Sequence, residues 1–176
     1  MFGVVPRPLW SRKLAPDANN GVRMAMRALL IRGQGRTILV DCGMGDGYDE
    51  TWHERYALRP PVDQLAANLA AVGVSHEDVT DLVVTHLHFD HTGGAVRPHA
   101  DGSLRATFRN ARHHVQASHL AHARAPTPKD RASFLSRRFE PIAEAGLFTA
   151  LEGPTEIAPG VHVIPVRGHS PGMQIV

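Results

Sequence analysis

The stretch Thr85-His86-Leu87-His88-Phe89-Asp90-His91-Thr92-Gly93-Gly94 packs three histidines and one carboxylate into positions 86–91. The run before it, Val79 to Thr85, has Val83 and Val84 at its centre and reads as a buried strand. Residues two apart on an extended chain point to the same side, so His86 and His88 aim at one point and Asp90 continues on that face. His91 joins them only if the chain turns, which Gly93-Gly94 permits. Two converging imidazoles, with a carboxylate and a third imidazole beside them, suit a pair of divalent cations better than a single one. Zinc lowers the pKa of its bound water from 15.7 to about 7, and two such ions about 3.5–4 Å apart share the resulting hydroxide. Histidine ligands favour zinc but also accept iron, cobalt, nickel or manganese. No serine or cysteine nucleophile is then required, and no nucleophile-elbow pattern is present.

Several elements must position these residues. Val22 to Arg32 alternates loosely up to Gly33-Gln34-Gly35, and Thr37 to Asp41 follows at once, which together predict a β-hairpin. Asp41 then meets the glycine-rich stretch Cys42 to Gly47. It is either a turn former before glycine or a carboxylate that orients a metal-ligating histidine. That stretch lacks the lysine and spacing of a phosphate loop. Residues 51–59, with Trp52 and His53, are a short polar segment without an assigned role. Pro61 to Val72 predicts a helix with Leu65, Ala66, Leu69, Ala70 and Val72 on one face, stopped at Gly73. Arg97 to Ser103 reads as a polar loop, and Ala106–Phe108 and His113–Gln116 as short strands. Ser118 is the expected N-cap of a helix to about Arg124. His119 and His122 share a face of that helix, but no carboxylate or cysteine accompanies them, and they read as surface or pocket-wall histidines. Residues 130–145 predict helix interrupted at Pro141. This insert either covers a pocket or packs through Phe134, Leu135 and Phe139. Strands are expected at Leu147–Leu151 and Val161–Val166, the second leading to Gly168-His169-Ser170-Pro171-Gly172.

The stretch HLHFDH at 86–91, led by its strand and followed by Thr92-Gly93-Gly94, resembles the H-x-H-x-D-H signature of the metallo-β-lactamase superfamily. Gly168 to Gly172 resembles that superfamily's next metal-binding motif, and Thr37 to Gly43 resembles the strand ending in Asp-Thr-Gly that precedes the signature. The opening Met1 to Pro6 is similar to the start of the branch containing quorum-quenching lactonases and methyl-parathion-type hydrolases. The resemblance implies an α/β sandwich of αβ/βα layers, with residues 1–176 forming one incomplete domain, its N-terminal half plus the start of the second. It implies that His86, His88 and His169 hold one metal and that Asp90 and His91 serve a second. It also implies a catalytic role for Asp90 and a place behind the ligands for Asp41. The family pattern continues with a strand, a bridging Asp and a late His. This chain stops at Met173-Gln174-Ile175-Val176, inside that strand, so a C-terminal truncation and an incomplete second site are expected.

Composition bounds the rest. Hydrophobic residues make up 43% and charged residues 20%, as in ordinary globular proteins. No apolar run reaches the length that spans a bilayer, and the N-terminus lacks a signal-peptide pattern, so a cytoplasmic location is expected. A single cysteine, Cys42, rules out an intrachain disulfide and a cysteine-cluster metal site. The net charge of +2 is segregated, with residues 41–96 at −8 and the segments 1–40 and 97–140 at +6 each. The acidic segment holds the metal motif.

The expected activity is metal-dependent hydrolysis of a small ester-like substrate, whether lactone, carboxylic ester or phosphotriester. A nuclease or thioester hydrolase of the same fold, and a non-catalytic metal-binding fragment, are the alternatives. Nucleic acid is the less favoured partner, and a homodimer stays open. The diiron redox branch usually has Glu at the position of His88 and is disfavoured here.

Overall fold

The computed structural model describes residues 4–58 and 64–176. Its strands are β1 (Leu29–Gly33), β2 (Arg36–Val40), β3 (Asp81–Val83), β4 (Val96–Pro98), β5 (Leu104–Ala106), β6 (Arg112–Gln116), β7 (Phe148–Leu151), β8 (Thr155–Ala158), β9 (Val161–Val166) and β10 (Met173–Ile175). The helices are α1 (Arg7–Trp10), α2 (Glu50–Tyr56), α3 (Leu65–Ala71), α4 (Phe89–Thr92), α5 (Ala117–Arg124) and α6 (Glu140–Glu144). One sheet runs β1-β2-β3-β6-β7 and a second runs β10-β9-β8, with β4 and β5 pairing apart. β1 and β2 form an antiparallel hairpin turned by Gln34 and Gly35, both at positive φ as a tight two-residue turn requires. From β2 onward the first sheet is parallel.

Its central strands are apolar on both faces because both faces are covered. Leu39, Leu82 and Val84 point to one side and pack with Leu69 of α3, Ala123 of α5 and Ile142 of α6. Ile38, Val40 and Val83 point to the other and pack with Leu151 and with Val163 of the second sheet. Burying each such side chain contributes about 1.5–3 kcal/mol relative to exposure, so the two-sided pattern fixes both register and layering. At the N-terminal edge of the parallel strands, buried Asp81 accepts from His114 Nε2 at 2.8 Å and pairs with Arg36 at 2.9 Å. The C-terminal ends of β2, β3 and β6 share the opposite edge, where ligands bind in open α/β sheets.

Several expected elements shift. The strand predicted over Val22–Arg32 begins only at Leu29, and the long run to Thr85 is a strand only over Asp81–Val83. Residues 50–56 form a helix, capped by Asp49 accepting from the Trp52 N–H. The helix predicted from Pro61 is seen as Leu65–Ala71, and residues 61–63 lie outside the described residues. The loop predicted from Arg97 starts inside β4, and its partner β5 ends at Ala106, where a strand had been expected to begin. α5 begins one residue before Ser118, with Gln116 at its cap. The insert is two 3₁₀ turns, at 131–133 and 136–138, followed by α6, whose first turn accommodates Pro141. Among the described residues no helix is long and apolar enough to cross a membrane.

Candidate functional site

The site lies where β2 and β3 end. After β3 the chain bends at Thr85, is extended at His88 and then turns into α4 at Phe89, so the turn comes before Asp90 rather than at Gly93-Gly94. Asp90 therefore leaves the face shared by His86 and His88, and His91 swings back toward them, its ring centroid 4.0 Å from that of His86. The loop carrying His169 arrives from the second sheet. The Gln174 N–H donates to Thr85 O at 2.9 Å, and the buried Gln174 amide donates to Val84 O and His114 O at 2.9 and 3.0 Å. One ring nitrogen each from His86, His88 and His169 lies within 4.8 Å of the others. His86 and His88 are buried, whereas His169 is exposed and marks the open side.

Hydrogen bonds fix the ring tautomers by elimination. The Thr85 hydroxyl donates to Asp41 Oδ2 at 2.8 Å, so its single proton is committed. The contact between Thr85 Oγ1 and His86 Nδ1 at 3.0 Å must then be donated by the ring, which leaves His86 Nε2 bare. Asp41 also accepts from the Thr85 N–H at 2.8 Å and from His91 Nδ1 at 2.7 Å, which leaves His91 Nε2 free when neutral. Asp41 thus orients two histidines, one directly and one through Thr85. Its backbone is left-handed, with φ of 57°, a conformation that Asp and Asn tolerate better than most residues. Asp90 is 38% exposed, with Oδ2 3.6 Å from His91 Nε2.

Electrostatics keep the inner rings neutral. Burial, followed by the neighbouring imidazoles His91, His88 and His169, pushes His86 down to about 2. Burial and His169 push His88 down to about 4. Burial also acts against a charge on His91, but the hydrogen bond and charge of Asp41, with the charge of Asp90, outweigh it and raise its pKa. The Nε2 atoms of His86 and His88 are buried without a hydrogen-bond partner. An unmet buried polar atom costs about 1–3 kcal/mol. His169 Nε2 lies 3.1 Å from His88 Nδ1, so the three rings meet closely. Neutral, clustered imidazoles with unpartnered buried nitrogens are what a divalent cation takes, so the donor set fits a metal.

The surroundings are apolar and tightly closed. Trp52 of α2 packs edge-on against Phe89 at 5.0 Å, with Tyr48 and Tyr56 beside it. A Cβ on Gly93 or Gly94 would collide with the backbone of Met44 or Cys42, so only glycine lets the 42–47 loop lie flush against α4. Buried Arg138 sits 3.9 Å from the Tyr48 ring centroid and donates to Gly47 O at 3.1 Å, tying the insert to that loop. Phe134 of the insert packs edge-on against His88 at 4.6 Å.

His119 departs most from its expected place. It is fully buried, where a surface or pocket-wall position is expected. It accepts from the Leu87 N–H and donates to Pro171 O. His122 is also mostly covered, paired with Asp130 at 2.6 Å. A signal for His119 existed in its position at the start of the helix after β6, on the edge where site residues gather. Phe134 reads from the sequence only as an apolar residue of the insert, and Thr85 and Arg138 carried no comparable signal.

This fold is that of a known class. The family model for the metallo-beta-lactamase superfamily matches residues 27–176, and the chain belongs to that superfamily. An N-acyl homoserine lactonase of Bacillus cereus is 27% identical over 164 residues, covering 88% of this chain and 58% of the lactonase. A probable metal-dependent hydrolase from Staphylococcus aureus superimposes with a TM-score of 0.88 at 27% identity, covering 99% of this chain and 61% of that one. An N-acyl homoserine lactone hydrolase, solved with the product N-hexanoyl-L-homoserine at its catalytic metal center, gives a TM-score of 0.60 at 26% identity, covering 82% of this chain and 54% of that one. The chain spans between 54% and 61% of the length of these relatives.

Proposed function

We propose that this is the metal-binding part of a hydrolase acting on a small ester-like molecule, a lactone with an apolar arm foremost. The observation that carries the reading is the convergence of His86, His88 and His169, with the inner two imidazoles neutral and their Nε2 atoms unpartnered. These three would hold one divalent ion, zinc first among the candidates, and Asp90 and His91 would face a second. When bound, such an ion supplies a Lewis acid and an acidified water. Asp41 holds His91 directly and His86 through Thr85, so both rings keep their lone pairs inward. Asp90, on the open side, takes a proton from the attacking water and returns it to the leaving alkoxide oxygen. Phe89, next to Asp90 in sequence, packs with Trp52 and with Tyr56, which is 42% exposed, and this aromatic cluster would contact an acyl arm. The likeness to proteins named as N-acyl homoserine lactonases supports the lactone over the phosphotriester.

The test is a pH-stat assay of zinc-loaded protein on acyl lactones of increasing chain length, an aryl phosphotriester, a thioester and single-stranded RNA. Lactone opening that rises with acyl length and stops with chelator is expected. Preferential turnover of the thioester, phosphotriester or RNA would overturn the substrate assignment.

A further inference from the structure

The two loops that carry the candidate ligands belong to different sheets, and on the strand side Gln174 joins them. A second connection comes from α5. His119 is fully buried there, and each of its ring nitrogens meets a backbone group from a different loop. The Leu87 N–H donates to Nε2 at 2.8 Å, and Nδ1 donates to Pro171 O at 2.7 Å. A carbonyl only accepts and an amide N–H only donates, so these partners demand one form of the ring, neutral with its proton on Nδ1. Leu87 lies between His86 and His88, so its N–H cannot move without moving both. Pro171 is two residues beyond His169.

The loop is seated directly on the helix. A Cβ built on Gly172 would stand 2.6 Å from Ser118 Oγ, 2.7 Å from His119 N and 3.0 Å from His119 Cα, and Gly172 has φ of 70°. Phe134 closes the remaining side, its ring 5.7 Å from His119 and 4.6 Å from His88. This low-dielectric seat strengthens both bonds. His119 is not itself a ligand in this arrangement, because both nitrogens are engaged.

We propose that His119 is a positioning residue that braces the loop of His86 and His88 against the loop of His169 and so sets the spacing of the three-histidine site. Its effect on metal rests on the metal reading above, whereas the brace stands on hydrogen bonds alone. Glutamine offers one acceptor and one donor at a similar reach and should replace it. Leucine fills the space and offers neither.

Two measurements test this. In metal-free protein, long-range 15N–1H NMR should find His119 neutral with Nδ1 protonated, and the Leu87 amide should exchange slowly in wild type and faster in His119→Leu. In cobalt titrations read by visible absorption, His119→Leu should bind about 10–100-fold more weakly with altered d–d bands. His119→Gln should restore both affinity and bands. Gly172→Ala, which forces the loop off α5 through the backbone of His119 while leaving its imidazole in place, should reproduce the weakening, and it decides the matter with His119→Gln if the leucine variant does not fold. Wild-type affinity and spectrum in the leucine or alanine variant, failure of glutamine to rescue, or a proton on Nε2 would overturn the brace. Wild type that binds no cobalt would overturn the metal reading instead, and the NMR result would still decide the brace.

Discussion

Asp41 and His91 are joined Oδ2 to Nδ1 at 2.7 Å across the gap between the β2 end and α4. The same carboxylate takes the Thr85 hydroxyl, which in turn receives His86 Nδ1. One buried group therefore sets the tautomers of two candidate ligands. Asp41→Asn keeps the left-handed backbone tolerable but turns an NH₂ or a weaker acceptor toward His91 and Thr85. Zinc affinity should fall about 10–100-fold while the far-UV spectrum stays unchanged. An unaltered calorimetric isotherm would count against the role given to Asp41.

Thr85→Val removes only the branch to His86, with almost no change of volume, and leaves the Asp41–His91 bond in place. Its zinc affinity should lie between those of wild type and Asp41→Asn, about tenfold below wild type. A Thr85→Val protein as weak as Asp41→Asn, or as strong as wild type, would show that the relay through the hydroxyl is misassigned.

His113, which is not among the candidate ligands, predicts an acid sensitivity of the fold. It is fully buried in β6, with Nδ1 donating to Ala111 O at 3.0 Å and Nε2 unpartnered. Burial foremost, with a contribution from His114, pushes its pKa down to about 4 against the pull of the Ala111 carbonyl. The unfolded chain titrates near 6.5 and so binds more protons than the folded chain between pH 6.5 and 4. The stability is thus complete above pH 6.5 and is lost as pH falls, by about 3 kcal/mol at pH 4. Urea midpoints of wild type and His113→Leu should diverge in that window, with wild type losing more. Parallel pH profiles would contradict the assignment.

The strands and the metal motif were legible for a physical reason. Ile38, Leu39 and Val40, like Leu82, Val83 and Val84, alternate between two buried faces, and such runs have few other uses. The motif drew attention because imidazoles two apart on extended backbone converge, and the rings of His86 and His88 lie 4.6 Å apart. Asp90 and His91 were harder to place, because whether α4 starts before or after them depends on packing against the 42–47 loop. α2 was missed because Glu50–Tyr56 is polar apart from its aromatics, and its helix is fixed by the Asp49 cap and by Trp52 packing on Phe89. His119 reads from the sequence as a surface or pocket-wall histidine because its partners are two backbone groups remote in sequence, which no local pattern encodes.

Metal content of His88→Ala tests the central claim most directly. His88 supplies one of the three convergent nitrogens, and removing it leaves His86 and His169, too few to hold zinc tightly. Purified wild type, dialysed against zinc and then against metal-free buffer, should retain at least about one equivalent by elemental analysis. His88→Ala prepared in the same way should retain only a small fraction of that. Equal zinc in the two proteins would contradict the assignment of His86, His88 and His169 as the metal site, and with it the proposed hydrolytic function.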